Sequence, residues 1–230
     1  MHIPDGFLNP PVAIAGGVVA IAAITLSVRG ARRSADDRTA PLAGLAAAFI
    51  FAAQMINFPV AAGTSGHLLG GALAAVLLGP YLGLLAVTTV IVIQGLVFAD
   101  GGLSALGLNI TNMALVTTLV GWLVFTLVVS TLPRGRMSII VSSVVAAFLS
   151  VPAAALAFSL EYAIGGTESI PAGQVLRAMT GIYSVIGVGE AVITGLVVGA
   201  VLSTRPDLIY GARGRLRRPA QADTSHANAG

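Results

Sequence analysis

Seven apolar runs dominate the 230-residue sequence, at 11–28, 41–57, 66–79, 81–98, 108–132, 137–162 and 175–203. A helix that crosses a bilayer needs about 20 mostly apolar residues, and only helices or closed barrels satisfy their backbone in lipid. The runs therefore predict an all-α, polytopic integral membrane protein, a bundle of about seven transmembrane helices with no room for a separate soluble domain. The composition agrees, with 56% hydrophobic and 9% charged residues and a mean hydropathy of +0.93, far from soluble usage. Residues 1–210 read as one membrane-embedded unit, and 211–230 as a small, polar, disordered cytoplasmic tail.

The third run, at 66–79, is short enough to be re-entrant. Arginine placement decides how to count it. Arg29, Arg32, Arg33 and Arg38 follow the first run, Arg134 and Arg136 the fifth, and Arg205, Arg213, Arg215, Arg217 and Arg218 the seventh. These three regions share the cytoplasmic face, as the positive-inside rule requires, only if the third run also crosses. The N-terminus then lies outside. Thr64 and Ser65 stand where an N-cap for that run would be. A pI near 10 reflects this topology rather than nucleic-acid binding, since the net charge is only +3. With Asp5, Asp100, Glu161 and Glu168 at the outer side against Arg177 alone, that side mildly attracts cations.

The sequence has no cysteine, which excludes disulfides and thiolate ligands. It also has no lysine, which excludes a P-loop and Schiff-base chemistry. ATP, if used, is hydrolysed by another chain. The opening MHIPDGFLNPP carries no basic residue before the first run, unlike a signal peptide, so Met1 is expected to be retained with a free amine. Pro4 restricts Ile3 to extended geometry and Asp5-Gly6 favours a turn, so the leader is able to fold back onto the outer mouth. Equally, it reads as an interfacial segment anchored by Phe7.

Three histidines are present: His2, His67 and His226. The topology brings His2 and His67 to one side, while His226 lies in the tail. An N-terminal Xaa-His offers its amine, the His2 amide nitrogen and the imidazole as two fused chelate rings, and His67 completes a plane of four nitrogens. Such a set suits nickel(II) or copper(II) and disfavours magnesium or calcium. Taken singly, each histidine is as well explained by solvation or an ordinary hydrogen bond.

The stretches MHIPDGFL, FIFAAQMINFPVAAGTSGHLLGGALAAVLLGP at 49–80 and FADGGLSALGLNITNMA at 98–114 resemble the CbiM/NikM family, the substrate-specific membrane components of energy-coupling-factor nickel and cobalt transporters. The resemblance extends to about residue 210. It implies a metal held by the Met1 amine, the backbone nitrogen and side chain of His2, and His67. It also implies nickel(II) or cobalt(II) as transported substrate, the latter for cobalamin synthesis, and no organic cofactor. The implied partners are a scaffold transmembrane subunit, cytoplasmic ATPase subunits and a small auxiliary membrane subunit, all in the cell membrane.

Buried amides are costly unless bonded, so Gln54, Asn57, Gln94, Asn109 and Asn112 in or beside the runs read either as interhelical bonds or as groups orienting the ligands. Asn57, nearest the outer turn, and Ser65 are the candidates chosen for the orienting role. Glu190, in the middle of the last run, keeps open a proton-coupled secondary transporter. A membrane-embedded metalloenzyme is the other alternative, but no HExxH or paired catalytic cluster supports it.

Overall fold

Asn9-Pro10-Pro11 begins the first helix. The Asn9 side chain accepts the Val12 backbone N–H at 3.1 Å, and the two prolines occupy positions where a missing N–H costs nothing. The computed structural model describes residues 1–34, 39–56, 58–59 and 65–216. The helices are α1 (Pro10–Ser34), α2 (Thr39–Gln54), α3 (Gly71–Leu78), α4 (Pro80–Val97), α5 (Leu106–Ile110), α6 (Thr117–Thr131), α7 (Arg136–Gly165) and α8 (Ala172–Thr204). A π-helical stretch, Thr111–Val116, fuses α5 to α6. A two-residue antiparallel pair joins β1 (Phe58–Pro59) to β2 (Ser65–Gly66), and two 3-10 turns, Pro206–Leu208 and Tyr210–Ala212, follow α8.

Among the described residues, five helical stretches are long and apolar enough to cross a membrane: Pro10–Arg33, Pro80–Val97, Leu106–Thr131, Arg136–Gly165 and Ala172–Thr204. The protein is an all-α, multi-pass membrane protein. Two of the seven expected spans are shorter than a bilayer demands. α2 has 16 residues, and the third run contributes only the eight residues of α3, about 12 Å of helix. α3 is tolerated because all eight of its residues are buried, so protein rather than lipid surrounds it.

The chain nevertheless passes between the same two ends of the bundle each time. At one end the leader meets the loops after α4 and α7: Gly102 N–H donates to the Ile3 carbonyl at 2.8 Å, and Leu8 bridges to Gly166. At the other end Gly30 packs on Tyr81 and Gly79 on Tyr210. Residues 66–70 and α3 together lead from the first end to the second. The turn from α3 into α4 uses Gly79 at φ +84°, a region costly for any residue with a Cβ, and Pro80 opens α4.

One expectation needs correction. α3 starts after Gly70 with no side-chain cap of its own. Ser65 lies in β2 instead, because extended backbone separates it from the helix. Gly211 and Ala212, just past residue 210, are buried. Gly211 is there because a Cβ would fall 2.7 Å from the Phe125 ring. Asn57, Thr64 and His226 lie outside the described residues.

Candidate metal centre

The leader enters the bundle because its backbone finds partners there. Asn109 accepts the Ile3 N–H at 2.8 Å, and Asp5 accepts both the N–H and the hydroxyl of Ser104 at 2.8 and 2.5 Å. Thr167 donates its hydroxyl to the Gly6 carbonyl at 2.7 Å. Phe7 packs beside Tyr162 and Phe158, with ring centroids 5.3 and 6.1 Å away. Gly102 permits the approach, because a Cβ there would run into the Asp5 backbone. Met1, His2 and Ile3 are consequently buried, at 2%, 7% and 2% exposure.

The Met1 amine ends 2.9 Å from Nε2 of His67, itself fully buried. The His2 and His67 rings stack with centroids 4.8 Å apart and planes 28° apart. His67 Nδ1 lies 2.7 Å from the Leu68 carbonyl; a carbonyl only accepts, so Nδ1 carries the proton and Nε2 offers its lone pair towards Met1. On His2, Nε2 is 3.5 Å from Asp100, while neither ring nitrogen has a hydrogen-bond partner among the described residues. Buried polar atoms without a partner are uncommon in folded proteins. A proton on Nε2, facing the carboxylate, leaves Nδ1 free for a metal.

Burial pushes the amine down to about 4 despite the opposing pull of Asp100. It pushes His2 down to about 3, with the adjacent amine as a second cause. Amine and imidazole are thereby held neutral, the form in which such nitrogens are able to bind a metal. Burial raises Asp100. His, Asp and Glu side chains alone form no cluster of three or more around a possible ion among the described residues.

The structure thus brings together Met1, His2 and His67. The groups that hold the leader are Asn109, Ser104 and Thr167. The sequence signal for Asn109 was an amide within an apolar run; a π-helical segment begins two residues later, a feature that often marks functional sites.

Residues 2–208 match the CbiM family model, described as the cobalt uptake substrate-specific transmembrane region. The chain belongs to the CbiM family. Among its relatives in that family, the fused nickel transport protein NikMN of Rhodobacter capsulatus is 30% identical, over 93% of this chain and 65% of its own length. The cobalt transport protein CbiM of Geobacter sulfurreducens is 32% identical, over 91% of this chain and 61% of its own length. A crystal structure of a transition metal transporter superposes with a TM-score of 0.82 at 31% identity, covering 88% of this chain and 93% of that one. The CbiM family and these relatives are metal-transport proteins and not enzymes.

Proposed function

We propose that this chain is the substrate-capturing membrane subunit of an ATP-driven energy-coupling-factor importer for nickel(II) or cobalt(II). The ion is taken at the end of the bundle that carries the leader, with the N-terminus outside and the C-terminus cytoplasmic. Its ligands are the Met1 amine, the His2 amide nitrogen, His2 Nδ1 and His67 Nε2. The observation that carries this reading is the 2.9 Å separation of the Met1 amine and His67 Nε2 in a buried pocket. Two nitrogens each about 2 Å from one ion and at right angles lie about 2.8 Å apart, so this pair already has the spacing of neighbouring ligands.

The covalent path supports the rest. Amine and His2 amide nitrogen close a five-membered ring around an ion, and amide nitrogen and Nδ1 a six-membered one. A planar nitrogen set favours nickel(II) by geometry. ATP hydrolysis falls to partner ATPase subunits, joined through a scaffold membrane subunit, because this chain has no lysine for a P-loop. Glu190 is unsuited to a proton-coupled cycle as it stands, since both its oxygens are occupied by backbone N–H groups.

The test is metal titration of the purified protein with one residue added before Met1, beside His67→Ala. Both changes should lower nickel(II) affinity by at least about tenfold while the protein stays folded, and competition with cobalt(II) ranks the two ions. Unchanged affinity in the extended protein would refute the chelate. Uptake by cells should require the partner ATPase.

A further inference from the structure

We infer that Gln54 and Glu190 are positioning residues for His67, acting through the Leu69 backbone, so that α2 and α8 set and release this ligand. The inference rests on His67 being a ligand, as proposed above. Glu190 Oε2 accepts the Leu69 N–H at 2.7 Å and Oε1 accepts the Gly70 N–H at 2.9 Å. From the other side, Gln54 Nε2 donates to the Leu69 carbonyl at 2.7 Å. Both polar groups of the residue two positions beyond His67 are therefore held by side chains of different helices.

The clamp lies in protein interior: Gln54, Leu69 and Glu190 are 1%, 0% and 2% exposed. Gln54, Gly70, Glu190 and Thr194 line a cavity of only about 20 Å³, room for about one water. Bulk solvent is not there to replace a lost partner, so the bonds fix the backbone strongly. Glu190 also stands at the N-terminus of α3, where a carboxylate is favoured by the helix dipole. Its Oε1 accepts the N–H of Gly70, the residue that precedes α3.

Three of the four nitrogens belong to the leader, and only His67 reaches them from elsewhere. A shift of residues 66–70 by about 1 Å, half the length of a metal–nitrogen bond, withdraws His67 and leaves the leader docked. Gln54 and Glu190 are the two side chains through which α2 and α8 impose such a shift on the Leu69 backbone.

The test is a double-mutant cycle on the full-length purified protein, read as nickel(II) affinity by chelator competition. Each variant is first checked for wild-type helicity and elution. Glu190→Gln, which keeps one acceptor oxygen, should weaken binding about 10–100-fold. In a His67→Ala background it should produce no further loss, because its effect passes through that ligand. Gln54→Met provides the same cycle from the other side and carries the test if Glu190→Gln does not fold. Additive losses, or wild-type affinity in Glu190→Gln and Gln54→Met, would overturn the inference while leaving the metal site intact. Wild-type affinity in His67→Ala would instead remove the site reading and this inference with it.

Discussion

Asn109 grips Ile3 by both its backbone groups, accepting the N–H at 2.8 Å and donating to the carbonyl at 3.4 Å. The residue that follows His2 is thus held as a neighbouring strand would hold it, by one side chain of α5. Asn109→Ala removes both bonds in a site that is 1% exposed. Nickel(II) affinity should fall about 10–100-fold, measured by chelator competition. Wild-type affinity would mean that the leader docks without this contact.

Gly102 makes a steric prediction. In Gly102→Ala the new methyl group meets the Asp5 backbone, so the leader must back out. Metal affinity should drop by at least about tenfold. Gly44→Ala, where a Cβ has nothing within 4 Å, is the matched control and should bind as wild type. Equal behaviour of the two would show that the leader tolerates displacement.

Much of this arrangement was legible in the sequence. Apolar length gave the helices, and arginine placement put His2 and His67 at one end, where they stack. The partners of the leader were harder to read. Asn57, favoured for its nearness to a turn, lies outside the described residues, while the role of Asn109 depends on which helix face meets the docked leader. The N–H of Gly70, just before α3, is accepted by Glu190, 120 residues away along the chain. No local pattern announces a bond of that span. The eight-residue α3 was hidden because Leu68 and Leu69 carry the apolar run back past Gly70.

Asp100 should act through His2. Asp100→Leu leaves Nε2 facing no acceptor and should lower affinity about 10–100-fold. Asp100→Asn keeps an acceptor oxygen and should retain an intermediate affinity. The comparison is made by nickel(II) titration, and an unaltered Asp100→Leu protein would dismiss the 3.5 Å contact as incidental.

The leader's nitrogens should add stability to the metal-free protein as pH rises. A base whose proton affinity is lower folded than unfolded binds more protons when unfolded, so its contribution rises with pH between the two values. For the Met1 amine these are about 4 and 8.0, and for His2 about 3 and 6.5. Asp100, raised by burial, acts in the opposite sense. The contribution of His2 is therefore read as the difference in thermal unfolding in detergent between the protein and His2→Ala, which should grow from about pH 3 to 6.5 and flatten beyond. A difference that stays constant across this window would contradict the burial of a neutral His2.

The brevity of α3 also bears on how the protein is made. Two helical turns cannot hold themselves in a bilayer as an independent span, so the segment carrying His67 enters the membrane as a passenger of α4, α6 and α7. The proposed capture site therefore depends on packing among those helices.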